Sequence, residues 1–185
     1  MSHSLPALFA SVSSVGFSGS RAPSPAAVAA LRSVFPMVPS GSCRVSVGCA
    51  VGVDAVVRDR FAGCRSLLVF SAASPRFSAG VPFVAALARR SAACVRSVAA
   101  GSRGLLVVLP SGACPRGVAP SASFRGGGSG SWGSAALAAG LGRRVVVWLP
   151  AGVVAPAWAG FAWSALGSGW FLLVAQPRLV QLCLF

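Results

Sequence analysis

The residues best suited to chemistry lie in a glycine- and serine-rich segment that precedes an alanine-rich stretch. The alanine-rich stretch predicts a helix, and the first N–H groups of a helix have no partners within it. The helix dipole adds partial positive charge at the same end, so the segment predicts a phosphate-binding loop. A flexible glycine linker is the alternative interpretation. The residues predicted to hold the phosphate are Gly127, Gly128, Ser129, Gly130 and Ser131.

Two more turns with small residues follow predicted strands, and their small residues allow a ligand to approach the backbone. Arg21 lies in the first turn and can pair with a phosphate through its guanidinium. Asp54 lies in the second and has two interpretations, an ordinary helix cap or a contact with the ribose or base edge of a nucleotide. The candidate nucleotide-binding residues of these turns are Gly19, Ser20, Arg21, Gly48, Gly52 and Asp54.

The elements that must position these turns alternate between apolar runs and helical patterns. Strands are predicted at residues 12–18, 44–47, 66–70, 105–109 and 145–149, and helices at residues 26–34, 54–60, 83–100 and 131–141. This alternation predicts an α/β fold, a Rossmann-like three-layer sandwich of about five strands in a mainly parallel sheet with helices on both faces. Turns that follow parallel strands meet at one edge of the sheet, where ligands bind.

The predicted domain organisation has two parts. We expect residues 1–150 to form the Rossmann-like domain and residues 151–185 to form an irregular tail that ends in a peptide motif. In the longest predicted helix, the apolar positions indicate one buried face, with Arg89, Arg90 and Arg96 towards solvent.

The chain is strongly basic, with 16 basic residues, all of them Arg, two acidic residues and a formal net charge of +14. Such a charge attracts polyanions, so nucleic acid, nucleotides and an anionic membrane surface are the candidate partners. Lys, Glu, Ile, Thr, Asn and Tyr are absent. This bias indicates a coding strand poor in adenine, so the preference for Arg carries less functional meaning than the charge itself.

Cysteine and apolar patterns bear on metals, compartment and membranes. The six cysteines form no Cys-x-x-Cys pair and the single His is His3, so we expect no metal site, no bound cofactor beyond a nucleotide ligand, and buried thiols in the cytoplasm. The N-terminus lacks the pattern of a secretory signal. The uncharged residues 145–177 are interrupted by Pro and Gly, so we expect no membrane span.

Together, the three turns resemble those of the SLOG superfamily, a Rossmann-like group that includes bacterial DNA-processing protein A and the "lonely guy" phosphoribohydrolases. Gly19-Ser20-Arg21 resembles the family's Gly-Ser-Arg, and residues 46–54 resemble its Ser-Gly-x-Ala-x-Gly-Ile-Asp. Residues 127–131 resemble its Gly-Gly-x-Gly-Thr phosphate loop. The resemblance covers residues 12–150. It implies a nucleotide or nucleic-acid ligand, a role in DNA processing, repair or recombination, and self-association into a homo-oligomer.

The chain departs from the phosphoribohydrolases at one important position. Their phosphate loop continues to a catalytic Glu, whereas this chain has Ser134 there and contains no Glu. Cleavage of a glycosidic bond needs a carboxylate, so we expect binding without catalysis. The alternatives to a nucleic-acid-binding protein are a sensor of a small nucleotide derivative and a phosphoribohydrolase-like enzyme.

The last five residues resemble the peptide motif by which bacterial replication and repair proteins dock on the DNA sliding clamp. In this motif an extended peptide inserts apolar side chains into a pocket while a Gln side chain fixes the register. The alternative is that the apolar terminus packs on its own domain. The residues predicted to contact the clamp are Gln181, Leu182, Leu184 and Phe185.

Overall fold

The computed structural model describes residues 4–41 and 43–176. In those residues the strands are β1 (Ser14–Gly19), β2 (Arg44–Gly48), β3 (Leu67–Phe70), β4 (Gly101–Leu109), β5 (Arg143–Trp148), β6 (Phe161–Gly167) and β7 (Trp170–Ala175). The helices are α1 (Leu5–Ala10), α2 (Pro25–Val34), α3 (Val53–Arg60), α4 (Pro75–Ser78), α5 (Phe83–Ser97) and α6 (Gly130–Gly140), with a short 3-10 helix at Phe35–Met37.

The strands form one seven-stranded mixed sheet in the order β3-β2-β1-β4-β5-β7-β6. The neighbours from β3 to β5 pair in parallel, and β7 pairs antiparallel with both β5 and β6. The α/β class is confirmed. The expected sheet of five mainly parallel strands is corrected, because two further antiparallel strands extend it beyond β5.

Those two strands come from the part of the chain that was expected to be irregular. Trp170 pairs with Trp148 and Leu172 pairs with Val146, so β7 extends the sheet directly. Two glycines, Gly167 and Gly169, lie at the tight turn between β6 and β7. Gly167 and Gly169 adopt φ of 88° and 80° there, a conformation that glycine adopts at little cost. The prediction of an irregular tail was therefore wrong for residues 161–175.

The core has two halves, one on each face of the sheet. Leu105 and Val107 of β4 pack in the half that contains residues of α1, α2 and α3, whereas Leu106 and Val108 pack in the half that contains residues of α5 and α6. Successive side chains of a strand point to opposite faces, so a continuous apolar run in β4 fills both halves. The carboxyl ends of β1, β2 and β4 consequently lie between two helical layers.

Two helix starts show how local sequence directs the chain. Ser24 caps α2, because its Oγ accepts the Ala27 N–H at 3.2 Å and Pro25 occupies the first helical position. In α3 the cap residue is Gly52, with φ of 75°, and no side chain caps this helix. Across the described ranges, no helix combines the length and apolar character needed to cross a bilayer.

Candidate functional site

A cleft with a volume of about 680 Å3 lies at the carboxyl ends of the central parallel strands. It is bordered by the turn after β1, the start of α3, one side of α5 and the loop before α6. We refer to it below as the carboxyl-edge cleft. The predicted site residues that line it are Gly19, Ser20, Arg21, Asp54, Gly127, Gly128, Ser129, Gly130 and Ser131.

The glycine segment forms a tight turn that leads directly into α6. Gly127 and Gly128 have φ of 51° and 90°, so the turn depends on residues without a Cβ. Ser129 caps the helix, because its Oγ accepts the Trp132 N–H at 3.4 Å and its carbonyl accepts the Gly133 N–H at 2.9 Å. The segment is part of the folded sheet edge, so the linker interpretation is wrong.

The same turn leaves several backbone donors free. Within residues 4–41 and 43–176, the N–H groups of Gly127, Gly128, Gly130 and Ser131 make no hydrogen bond to protein. All four residues border the cleft, and two of them begin a helix of 11 residues. Free donors and the helix dipole therefore act on the same volume, an arrangement that favours an anion.

A buried tryptophan fixes the position of α6. Trp132 is 1% exposed, and its Nε1 donates to the Gly112 carbonyl at 2.9 Å. This bond ties the first turn of α6 to the loop after β4. The free N–H groups are thus held by a packed side chain.

The turns after β1 and β2 are packed against each other. The Ser20 N–H donates to the Leu109 carbonyl at 2.9 Å, and the Ser20 carbonyl accepts the Val53 N–H at 3.0 Å. A Cβ on Gly52 would overlap the backbone of Ser20 and Arg21. Gly52 does not border the cleft, so its contribution is to let the two turns approach. The Arg21 side chain is exposed at the cleft border.

Asp54 lies in the first turn of α3, two residues after the cap, so the helix-cap interpretation is wrong. Its Oδ2 accepts the Ala50 N–H at 3.2 Å and lies 3.2 Å from Nη1 of Arg90. Arg58 fixes the preceding turn through donation to the carbonyls of Gly48 and Ala50 at 2.8 and 2.9 Å. Asp54 is thus a buried partner of an arginine at the base of the cleft.

Arg90 corrects the prediction that its side chain points to solvent. Its relative exposure is 8%, whereas Arg89 and Arg96 are exposed. Arg90 stands four residues from both Ala86 and Cys94, which are buried, so helical geometry places all three on one face. Asp54 makes this burial tolerable by balancing the charge. The spacing of four residues from Ala86 and from Cys94 is the feature of the sequence that could have indicated that Arg90 is buried.

Arg90 also retains unused hydrogen-bonding capacity. Its Nε is buried and has no hydrogen-bond partner among the described residues, although the side chain borders the cleft. A buried donor without a partner costs free energy that a bound acceptor could recover. Gly48 provides the space for this group, because a Cβ there would overlap the guanidinium of Arg90 and the carboxylate of Asp54.

Burial shifts two titrations near the base of the cleft. It raises the pKa of the Asp54 carboxyl, and the charge of Arg90 and the Ala50 N–H offset part of this rise. Burial also raises the pKa of the Cys94 thiol to about 12, with a smaller contribution from the negative charge of Asp54. Cys94 is therefore an apolar packing residue and does not supply a reactive thiolate at neutral pH.

Ser134, which stands where phosphoribohydrolases have a catalytic Glu, is buried and hydrogen-bonded. It accepts from the Ser18 hydroxyl at 3.1 Å and donates to the Gly130 carbonyl at 2.9 Å. These bonds join the end of β1 to the start of α6. Ser134 thus helps to position residues 127–131, and it supplies no carboxylate at this point of the helix.

An apolar side of the cleft was missed by sequence reasoning. Val84 and Leu87 from α5, together with the half-buried ring of Phe124, line it opposite the turns. Val84 is 76% exposed, which is unusual for an apolar helical residue beside a cleft. The exposed apolar positions at the start of α5 could not be distinguished in the sequence from core positions. No group of three potential metal ligands occurs in the part of the chain that the structure describes.

The predicted clamp-binding residues Gln181, Leu182, Leu184 and Phe185 lie outside the described residues. In comparisons with known proteins, no family model matches the chain, and neither a curated protein nor a solved structure matches it. The resemblance to the SLOG superfamily therefore stays a prediction from the three turns.

Proposed function

We propose that the carboxyl-edge cleft binds a phosphorylated nucleotide, with phosphate oxygens on the free N–H groups of residues 127–131. The observation that carries this proposal is the set of four free backbone donors at the start of α6. Arg21 borders the same volume and can supply a bidentate contact to the phosphate. The cleft volume of about 680 Å3 lies within the range typical of small-molecule sites.

The remaining surfaces of the cleft suit a sugar and a base. Phe124, Val84 and Leu87 offer an apolar side on which a base can stack or pack. Asp54 borders the cleft, and Arg90 carries a buried Nε without a partner, so both can engage polar edges. This distribution of anionic, polar and apolar contacts matches the parts of a nucleotide.

Topology and composition support the broader proposal of a Rossmann-like SLOG protein that binds nucleic acid. The parallel order β3-β2-β1-β4-β5 brings the turns after these strands to one edge of the sheet, the edge at which ligands of such folds bind. The net charge of +14 favours polyanions, and the free thiols of the five cysteines in the described residues support a reducing cytoplasm. A role in DNA processing, repair or recombination, with docking on the sliding clamp, is part of the same proposal.

A sensor of a small nucleotide derivative is the second candidate, since the cleft is bounded on four sides and its volume suits one nucleotide. Hydrolysis has less support, because Asp54 already accepts from Arg90 and Ala50. Calorimetric titration with mononucleotides and oligonucleotides separates the first two functions. A sensor binds mononucleotides and does not gain affinity with strand length.

The substitution Gly130→Pro is the sharpest test of the proposed phosphate-binding site at residues 127–131. Gly130 is the first residue of α6, its N–H is free, and the space around its Cβ position is open. Proline is well tolerated at this position of a helix, and Ser129 has extended φ and ψ of −122° and 108°, which suit a residue before proline. Gly130→Pro thus removes one donor without disturbing the helix.

We expect Gly130→Pro to weaken the binding of nucleoside 5′-monophosphates about 10-fold, as loss of a hydrogen bond to a charged group predicts. Gly130→Ala is the matched control, because it adds a Cβ but keeps the N–H, and its affinity should stay close to that of the parent protein. The affinity for unphosphorylated nucleosides should be the same in both variants. Equal affinity of the two variants for monophosphates would overturn the proposed phosphate-binding site.

A further inference from the structure

A second groove, of about 490 Å3, adjoins the carboxyl-edge cleft along α5. We define the arginine groove by Arg76, Arg89, Arg96, Phe77 and Phe124. Phe124 and Ala88 line both the groove and the cleft, so the two depressions are neighbours that meet at these residues. A ligand longer than one nucleotide can therefore extend from the cleft into the groove.

The arginines of the groove are spaced along its length. Arg89 and Arg96 are seven residues apart on α5, which places them on one face of the helix and about 10 Å apart along its axis. Ala92 lies between them and leaves the groove open. Arg76 of α4 contributes a third exposed guanidinium, 5.5 Å from the centroid of the Phe77 ring.

Within residues 4–41 and 43–176, no side chain neutralises the positive charge of the groove. The chain contains two acidic residues, of which Asp54 pairs with Arg90 and Asp59 borders a separate surface beside Arg32. The described residues place no carboxylate in the groove. Burial, with a smaller contribution from the charge of Arg96, lowers the pKa of Arg143, whose Nη2 donates to the Arg96 carbonyl at 3.1 Å.

We propose that the arginine groove binds the backbone of a single-stranded nucleic acid whose terminal nucleotide occupies the cleft. The proposal rests on the nucleotide-binding function proposed above and extends it to a polymeric ligand. Arg89 and Arg96 pair with successive phosphates, while Phe124 offers a stacking surface at the junction with the cleft. A groove that combines arginines with an aromatic ring fits a strand of bases and phosphates. It fits an acidic peptide less well, because a peptide has no bases to stack.

The test compares Arg89→Gln and Arg96→Gln with Arg32→Gln, which removes the same charge from α2 on the opposite helical layer. All three arginines are exposed, so circular dichroism should show unchanged folding. The probe is a fluorescent oligothymidylate of about 12 nucleotides, which lies within the site sizes of strand-binding domains, titrated by anisotropy at several salt concentrations. Thymidine 5′-monophosphate is titrated by calorimetry in parallel.

We expect each groove substitution to weaken oligonucleotide binding about 5-fold and to reduce the magnitude of the salt slope by about 0.7, the value for one phosphate contact on a single strand. Arg32→Gln should have less than about a 2-fold effect. The affinity for thymidine monophosphate should stay constant in all three variants, because none of the substituted residues borders the cleft.

Three results would contradict the proposals, and they can be told apart. If monophosphate binds but the groove and control substitutions have equal effects on the oligonucleotide, the groove is overturned while the cleft remains. If monophosphate does not bind, the proposed function of the carboxyl-edge cleft is overturned, and with it the position of the terminal nucleotide. Displacement of the oligonucleotide by polyglutamate at equal charge concentration would also overturn a groove specific for nucleic acid.

Discussion

Nη1 of Arg90 lies 3.2 Å from Oδ2 of Asp54, and both side chains are more than nine-tenths buried. The two residues come from α5 and α3, which lie on opposite faces of the sheet. Their contact therefore joins the two helical layers at the carboxyl edge, directly under the proposed nucleotide site. Gly48 ends β2 beside them and leaves the space that the pair occupies.

Loss of one partner should destabilise the fold strongly. Arg90→Met keeps a long side chain but leaves the Asp54 carboxylate buried without its counter-ion, and we expect the free energy of unfolding to fall by about 3 kcal/mol. Arg89→Met is the control, because Arg89 is the exposed neighbour on the same helix and its loss should change stability by less than about 0.5 kcal/mol. Urea denaturation followed by tryptophan fluorescence measures both values.

A double variant then isolates the pair itself. Asp54→Asn with Arg90→Met should cost less than the sum of the two single substitutions, by about 1 kcal/mol or more, since no charge is left unpaired. Strict additivity of the two losses would contradict a direct interaction between the side chains.

The pH dependence of stability should also report on Asp54. Burial raises its pKa above the ordinary value of 3.8, so the folded protein takes up this proton at a higher pH than the unfolded chain. The contribution of Asp54 to the free energy of unfolding is therefore fully present below the pKa that this carboxyl has in the unfolded chain. It is lost as pH rises through the pKa of the carboxyl in the folded protein. As pH falls from neutrality towards 3.8, the parent protein should therefore gain stability relative to Asp54→Asn.

The titration is unusually simple to interpret, because the only other acidic side chain is Asp59 and it is present in both proteins. Its contribution cancels when the unfolding free energies of the two proteins are subtracted at each pH. If the parent protein instead loses stability relative to Asp54→Asn as pH falls, the ion pair with Arg90 outweighs burial of the carboxyl.

The backbone at the second turn should tolerate no side chain. Gly52 has φ of 75°, and a Cβ there would overlap backbone atoms of Ser20 and Arg21, so Gly52→Ala combines conformational strain with a steric clash. We expect a loss of about 3 kcal/mol. Gly128→Ala is the comparison, because its φ is 90° but its Cβ would enter open space. It should cost about 1 kcal/mol.

These two variants also differ in the expected effect on binding. Gly128→Ala disturbs the phosphate loop itself, so it should lower nucleotide affinity while it leaves most of the stability. Equal stability losses for the two variants, measured by urea denaturation, would show that the clash between the turns is absent.

Local signals in the sequence were sufficient for the first five strands and for the helix that carries the phosphate loop. Continuous apolar runs, as in strands buried on both faces, occur at residues 105–109 of β4 and 145–148 of β5, and Ser24 and Pro25 predict the start of α2 correctly. The glycine segment was correctly placed before a helix, although the helix begins at Gly130 and not one residue later. These features depend on neighbours within a few residues.

Features that depend on tertiary contacts were not predicted. Arg90 has the composition of a surface residue, and its burial becomes tolerable through Asp54, which is 36 residues away. The glycines of the β6–β7 turn resemble those of irregular chain, and the difference lies in the pairing of β7 with β5. A single sequence does not specify which distant partner covers a charge or a strand edge.

The last two strands should therefore be an integral part of the fold. Leu172 of β7 is 4% exposed and packs in the core half that also contains Leu105 and Leu31, so Leu172→Ala should lower the free energy of unfolding by about 3 kcal/mol. Val154→Ala is the control from the same part of the chain, because Val154 is 81% exposed and its truncation should change stability by less than about 0.5 kcal/mol. Denaturation by urea at a single temperature measures both. If Leu172→Ala were as harmless as Val154→Ala, β7 would not pack against the sheet in solution, and β5 would be its true edge.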